Sequence, residues 1–310
     1  MEFSNLNDMT KIKNLMVSSN NITKNDILKI FSFADTFQNK IKKPIKFLEG
    51  KILANCFFEP STRTSLSFET AMKKLGGEVI TFNKDSSSIK KGESDEDTIK
   101  TLEQYADFIV LRHPSKNLLY QYSNKCNKIL INGGNGDGEH PTQALLDLYT
   151  ITNCFEEKNT NLKILFVGDI KHSRTVHSLE LIIKTYYSDT DRITIDYFPY
   201  PGCERIEDNN INSFEYINKY DVIYMTRLQK ERFESWTKWR SSKGFENYIL
   251  TPDLVSKMKE NSIILHPLPR NEEIDTLVDE FKQAKYFEQM KNGVFVRMAI
   301  LYYLYSNCNV

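Results

Sequence analysis

Hydroxyl, arginine and histidine side chains recur in this sequence where an apolar, strand-like run gives way to a helical pattern. The first such join is Glu59-Pro60-Ser61-Thr62-Arg63-Thr64-Ser65. Ser61, Thr62 and Thr64 can donate to phosphate oxygens, and Arg63 can grip them with a charged fork. Free backbone N–H groups at a helix start, and the helix dipole, add to anion binding. Taken alone, the same residues would also suit an ordinary Ser/Thr cap beside a solvated arginine. The arrangement recurs, however. Arg112-His113-Pro114 follows the apolar run 108–111, and His140-Pro141-Thr142-Gln143 follows the run 128–131 and a glycine cluster. Arg174-Thr175 opens a helical pattern after 162–167. Arg227-Leu228-Gln229 follows 222–225, and His266-Pro267-Leu268-Pro269-Arg270 follows 263–265. Several arginines at strand ends suit a ligand with several negative charges. No Ser–His–Asp set stands at a recognisable spacing and no His/Cys/Asp cluster suggests a metal. The chemistry expected is therefore positioning and stabilisation of developing charge.

The elements that must hold these groups are legible from periodicity. Residues 52–58 are apolar and stop at Pro60, as a buried strand would. Phe68, Ala71, Met72 and Leu75 then fall at i, i+3, i+4 and i+7 of a helix face that ends at Gly76-Gly77. Thr23 or Asn25 is a candidate cap for a helix containing Ile27, Leu28, Ile30 and Phe31. A strand is expected over 78–82, then a polar, mobile surface loop over 83–97, and a helix over 98–105. A second strand–helix series starts after a polar stretch at 152–160, with strands at 162–167, 192–197, 222–225 and 263–265. Strands alternating with helices predict parallel sheets, with ligands gathered beyond their carboxyl ends. The glycine cluster 133–138 does not fit a dinucleotide fingerprint, because Glu139 stands where the last glycine is needed, so a nicotinamide or flavin site is rejected. The helix at 294–305 is apolar on most faces and should be buried.

Composition narrows the function classes. The 310 residues include 41 basic and 41 acidic side chains, so no basic excess argues for nucleic acid or an anionic membrane. No apolar run approaches the roughly 20 residues of a membrane helix, and the N-terminus shows no signal-peptide pattern. The five cysteines, Cys56, Cys126, Cys154, Cys203 and Cys308, are odd in number and no two have a zinc-type spacing. Reduced thiols and a cytoplasmic setting are expected.

Seven motifs in order resemble those of the aspartate carbamoyltransferase family. They are Ser61-Thr62-Arg63-Thr64-Ser65, Lys90-Lys91-Gly92-Glu93, Arg112-His113-Pro114, His140-Pro141-Thr142-Gln143 with the following Ala144-Leu145-Leu146-Asp147, Gly168-Asp169 through Arg174-Thr175-Val176-His177-Ser178, Arg227-Leu228-Gln229, and His266-Pro267-Leu268-Pro269-Arg270. The resemblance runs over essentially the whole chain. It implies an α/β fold of two similar-sized domains, each a parallel β-sheet flanked by helices, the aspartate/ornithine carbamoyltransferase fold. Residues 1–150 would bind carbamoyl phosphate and 151–291 aspartate, with a C-terminal helix, 292–310, packing back on the first domain. Ornithine-specific relatives usually carry Ser-Thr-Arg-Thr-Arg, His-Pro-Cys-Gln and His-Cys-Leu-Pro, whereas this chain has Ser65, Thr142 and Pro267 at the differing positions. Transfer to another amine such as ornithine, or a non-catalytic ligand-binding subunit, stand as alternatives.

Residue by residue, the resemblance implies that Ser61, Thr62, Arg63 and Thr64 bind the phosphate. Arg112, His140 and Thr64 would polarise the carbamoyl oxygen, while Gln143 and the backbone carbonyls of Pro267 and Leu268 hold the carbamoyl amine. Arg174, Thr175, Arg227 and Gln229 would take the carboxylates of aspartate. Ser87 and Lys91 would reach the site of a neighbouring subunit, which makes the unit a homotrimer with shared sites, and a separate regulatory chain is a possible partner. Domain closure over both substrates is expected. No cofactor is implied. The sequence departs from the family pattern at Asn132-Gly133-Gly134-Asn135-Gly136, at 199–210 and at 234–244, which carries both tryptophans.

Overall fold

Short apolar runs flanked by glycine or polar residues become strands here because helices cover them, which suits parallel pairing. The structure is a computed structural model that describes residues 15–40, 45–84, 87–155, 161–205, 208–228 and 245–308. Two compact units emerge. One comprises residues 1–146, 178–186 and 292–310, and the other 147–177 and 187–291.

In the first unit, β1 (Leu15–Met16), β2 (Ile52–Phe57), β3 (Glu78–Asn83), β4 (Phe108–His113) and β5 (Ile129–Asn135) form a sheet of order β1-β5-β4-β2-β3, with every pair parallel. Register sets where the strands end. Phe57 pairs with Arg112 on one side and Asn83 on the other, so β2, β3 and β4 end at one level. Between β4 and β5 the register shifts, from Leu111↔Asn132 to His113↔Asn135. One residue of β4, Arg112, thus faces two of β5, Gly133 and Gly134. This is a bulge, a feature that re-aims a side chain. Gly134 takes the positive φ of 113° that the irregularity requires.

The helices of this unit follow the periodicity. They are α1 (Lys24–Asp35), α2 (Thr62–Lys74), α3 (Asp95–Tyr105), α4 (Lys116–Ser123) and the start of α5 (Pro141–Phe155). Thr23 is the cap of α1, in a reciprocal box with Asp26. On α2, Phe68, Ala71, Met72 and Leu75 are fully buried, as their spacing predicts. Ile99 of α3 and Leu119 and Tyr122 of α4 pack against Cys56, Ile109, Leu111 and Leu130 of the sheet. The final helix, Tyr286–Cys308, adds its last turns to this unit. Tyr303 donates to Asp26 of α1, and Arg297 lies 5.2 Å above the Phe68 ring.

The second unit has β6 (Leu162–Gly168), β7 (Ile193–Pro199), β8 (Val222–Met225) and β9 (Ile263–Leu265) in the parallel order β7-β6-β8-β9. One face of this sheet, with Leu165, Val167, Ile223, Met225 and Ile264, packs on Val255, Ile274, Val278 and Tyr286. On the other face Phe166 stacks on Tyr197 at 5.8 Å and meets Tyr224 edge-on at 5.3 Å. Helix α6 (Arg174–Tyr186) leaves the end of β6.

Several elements differ from the sequence reading. Strand β1 was not expected, since two residues show no alternation, and α4 went unread. Helix α3 begins at Asp95 rather than 98. Ser94 caps it, and Asp95, Glu96 and Asp97 sit in its first turn, where the dipole favours acids, so residues read as loop are helix. The rest of the expected loop contains a 3₁₀ turn, Ser88–Lys91, closed by Gly92 at φ 95°. The last helix starts at Tyr286, not 294. Among the expected irregular segments, 206–207 and 229–244 lie outside the described residues, as does the expected site residue Gln229.

Phe68 is fully buried beneath Arg297. Phe68→Ala should cost about 3–5 kcal/mol through lost burial and a residual cavity, read as a fall in urea midpoint.

Candidate active site

Helix α2 has an unusual start. Its N-cap, Ser61, has extended backbone, but its hydroxyl makes no capping hydrogen bond, and the first turn holds no acid. Most helices close this end with a Ser/Asp side chain or an acidic first turn. Here an exposed arginine, Arg63, stands in the first turn instead. First-turn N–H groups, the Ser61 and Thr62 hydroxyls and a guanidinium therefore share one helix end, a set of donors whose chemistry suits an anion.

Its neighbours come from adjacent strand ends. Arg112, at the β4–β5 bulge, donates to Ser61 Oγ at 3.4 Å and lies 3.4 Å from Glu59 Oε2. Thr64 and His140 are both buried, and Thr64 Oγ1 is 3.3 Å from His140 Nε2. Gln143 is buried in the first turn of α5 and its backbone N–H donates to the His140 carbonyl at 3.0 Å. So Ser61, Thr64, Arg112 and His140 form one group, with Gln143 beside it. Ser87 and Lys91 do not join it. Ser87 Oγ donates to the Lys84 carbonyl at 2.8 Å, and Lys91 is exposed on its 3₁₀ turn.

Anchors that sequence reasoning missed hold this group. The Glu139 carboxylate accepts from Ser18 Oγ at 2.7 Å, the Ser19 N–H at 2.5 Å and Tyr120 Oη at 2.8 Å, while its own N–H donates to Asn135 Oδ1 at 2.6 Å. Burial, and then the Glu139 charge, push the Tyr120 hydroxyl up to about 12, so it remains a donor. The next residue is fixed too, since the His140 N–H donates to Ser178 Oγ at 2.8 Å. His113 accepts the Ser115 N–H on Nδ1 at 3.0 Å, which leaves Nε2–H to donate to Asp95 Oδ2 at 2.9 Å. This pair ties the strand bearing Arg112 to the start of α3. The only sequence signal was Glu139 spoiling a glycine motif.

In the second unit, Arg174, Arg227 and Pro267-Leu268 emerge at the carboxyl ends of β6, β8 and β9, three neighbouring strands. Arg174 is the first residue of α6, and Thr175 Oγ1 lies 3.0 Å from Ser173 Oγ. Only glycine fits at the end of β6. Gly168 has φ +118°, and a Cβ there would lie 2.4 Å from the Thr226 carbonyl oxygen.

The Pro267-Leu268 turn hangs from His266, which is fully buried. Its Nδ1 accepts the Leu268 N–H at 2.7 Å, so Nε2–H donates to Glu273 Oε1 at 2.9 Å. Its own N–H donates to Gln289 Oε1 at 3.0 Å, and Gln289 Nε2 donates to Asp147, which also accepts from Tyr224 Oη at 2.7 Å. These bonds hold Leu268 at φ 54°, a conformation an L side chain rarely adopts. Burial alone would push the Glu273 carboxyl up, but the hydrogen bond from His266 and those from backbone N–H groups hold it below the usual range.

Among the described residues, one group has the donor chemistry of a metal site: Asp169, His172 and Cys203, with one candidate ligand atom each, all within 4.8 Å of one another. Their sequence spacing gave no sign of it.

Glu273 yields a pH prediction. A depressed carboxyl stabilises the fold above its unfolded pKa, near 4.5, and that stability is lost as pH falls through the lower folded value. Glu273→Gln should therefore lower the urea midpoint at neutral pH, and the deficit should shrink as the medium is made more acid than about pH 4.5.

Comparison with known proteins places this geometry. The family profile described as "Aspartate/ornithine carbamoyltransferase, carbamoyl-P binding domain" matches residues 14–153, and that for the "Asp/Orn binding domain" matches 160–304. The aspartate carbamoyltransferase catalytic subunit of Picrophilus torridus is 42% identical over 297 residues, 93% of this chain and 97% of that one. That of Methanocaldococcus jannaschii is 44% identical over 301 residues, 92% of this chain and 96% of its own. The aspartate transcarbamoylase of Trypanosoma cruzi, solved with carbamoyl phosphate, superposes with a TM-score of 0.87 at 35% identity, covering 94% of this chain and 95% of that one. The same enzyme solved with N-(phosphonacetyl)-L-aspartic acid gives 0.85.

Proposed function

The chain belongs to the aspartate/ornithine carbamoyltransferase family, and we propose that it transfers the carbamoyl group of carbamoyl phosphate to the α-amine of L-aspartate. The products are N-carbamoyl-L-aspartate and phosphate, an early step of de novo pyrimidine synthesis. The observation that carries this reading is the basic, side-chain-uncapped start of α2 with Thr64, His140 and Arg112 gathered at it. Ser65, Thr142 and Pro267 favour aspartate over ornithine as acceptor.

The first unit is the carbamoyl phosphate domain in this reading. The α2 N–H groups, Ser61, Thr62 and Arg63 take the phosphate. The neutral amine of aspartate attacks the carbamoyl carbon, and negative charge collects on the carbonyl oxygen. Thr64, Arg112 and His140 meet that charge, each donor worth about 3–4 kcal/mol in such a role. Gln143 and the carbonyls of Pro267 and Leu268 orient the carbamoyl amine. The C–O bond to phosphate then breaks, the leaving phosphate carrying the bonding pair. It can take the proton released by the amine, so no protein base is required. The second unit supplies Arg174, Thr175, Arg227 and Gln229 for the two carboxylates of aspartate, a di-anion for which paired guanidinium groups are the natural complement. No cofactor has a part in these steps.

Ser87 and Lys91 stand apart from the Thr64–His140 group, and exposure of Lys91 on a tight turn suits a role in a neighbouring subunit's site. The working unit is then a homotrimer with shared sites, with room for a separate regulatory chain. Among the described residues no helix is long and apolar enough to cross a membrane, which agrees with a cytoplasmic enzyme.

Purified protein should form carbamoyl-aspartate and phosphate from carbamoyl phosphate and aspartate. Arg63→Ala and His140→Ala should each lower kcat by about 10²–10³-fold; full activity in either would overturn the assignment, and turnover of ornithine alone would move the acceptor. Subunit sharing has its own test. Inactive Lys91→Ala and inactive Arg63→Ala trimers, mixed and allowed to exchange, should regain part of the activity. No recovery after demonstrated exchange would place each site within one chain.

A further inference from the structure

Asp169 is fully buried just after β6, next to Gly168 at φ +118°. Its Oδ1 accepts from the His172 N–H at 3.1 Å and lies 3.0 Å from His172 Nδ1. Its other oxygen, Oδ2, is buried and makes no hydrogen bond among the described residues. A buried carboxylate oxygen left without a donor is costly, so such a group calls for a partner. Cys203 comes from the segment after β7 and is also fully buried. Backbone bonds fix the three relative to one another. The Lys171 N–H donates to the Cys203 carbonyl at 3.0 Å, the Cys203 N–H to the Tyr200 carbonyl at 2.8 Å, and the Ile170 N–H to the Gly168 carbonyl at 3.1 Å. Carboxylate oxygen, imidazole nitrogen and thiol sulfur lie within 4.8 Å of one another.

We propose that Asp169, His172 and Cys203 bind a divalent transition metal of the zinc class, with solvent as the fourth ligand. The donor set selects the metal. A thiolate and an imidazole suit zinc or cobalt, whereas magnesium and calcium require oxygen ligands. Tetrahedral zinc takes sulfur at about 2.3 Å and nitrogen or oxygen at about 2.0–2.2 Å, so the three donors draw closer together on binding. Binding releases the Cys203 Sγ proton to solvent and leaves a metal-bound thiolate. The cation would take one carboxylate oxygen of Asp169, whose Oδ2 makes no hydrogen bond among the described residues. The His172 side chain is 30% exposed, while that of Asp169 is fully buried. The loop that the metal would pin, 168–173, leads directly into α6 at Arg174. The site does not depend on the reaction assigned above, and its test reads the metal rather than turnover.

The experiment is a cobalt titration of the intact, reduced, metal-free protein, followed by near-ultraviolet and visible absorption. One equivalent should bind with an intense thiolate-to-cobalt charge-transfer band and tetrahedral visible bands, all lost on adding zinc. Cys203→Ser should abolish the charge-transfer band although Cys56, Cys126, Cys154 and Cys308 remain. His172→Ala should weaken cobalt binding at least about tenfold. Absence of a charge-transfer band in the unsubstituted protein, or its persistence in folded Cys203→Ser, would overturn the proposal. Should Cys203→Ser not fold, His172→Ala decides: unchanged affinity there also overturns it.

Discussion

The first turn of α2 leaves its N–H groups without a side-chain cap and puts a guanidinium where a carboxylate would ordinarily be favoured. A helix end of this kind is stabilised by an anion from outside the chain, because the dipole and the arginine reinforce one another rather than cancel. Its stability therefore comes from elsewhere. Phe68, Ala71, Met72 and Leu75 are fully buried, and Gly76 at φ 87° ends the helix where a Cβ would meet the Ile45 carbonyl oxygen at 2.8 Å. The hydrophobic face fixes the helix, and the polar end is left for function. Strand register does the rest. Because β2 and β4 pair Phe57 with Arg112, the guanidinium reaches the level of Ser61, and the β5 bulge at Gly133 and Gly134 lies opposite it.

Charged and polar side chains that touch no substrate in the proposed chemistry form the second layer. Glu139 collects donors from Ser18, Ser19 and Tyr120 one residue before His140. Asp95 takes the proton-bearing nitrogen of His113 one residue after Arg112. In the other unit His266 is held by Glu273 and Gln289 and itself holds Leu268. The pattern is the same each time. An acid sets the orientation of the backbone next to a functional group, and the hydrogen bonds it accepts offset the cost of its desolvation. Preorganised groups of this kind need little rearrangement as charge develops on a substrate.

Asp169 is the exception among these acids, since one of its oxygens has no donor among the described residues. The buried carboxylates Asp147 and Glu273 have their charge met by tyrosine, glutamine, histidine or backbone groups. The Asp169 carboxylate stands near an imidazole and a thiol, a donor set whose chemistry suits a divalent cation of the zinc class.

How much could be read from the sequence differs between local and non-local features. Apolar spacing on α2 and the polar residues at strand ends depend on neighbours a few positions away, and so the sequence by itself determined them; it narrowed the cap of α1 to Thr23 or Asn25, and the alternation of strands with helices predicted parallel sheets without giving their order. Motif order added the family and the candidate groups at 61–64, 112, 140, 174 and 227. It did not reveal β1, whose two residues have no period, or that Asp95-Glu96-Asp97 is a first helical turn rather than loop. Tertiary structure alone decided which acid meets which donor. Glu139 and Ser19 are 120 residues apart, Asp147 and Gln289 142 apart, and Asp169 and Cys203 lie on different strand ends. Contacts at such separations come from strand order and register, which no local spacing encodes.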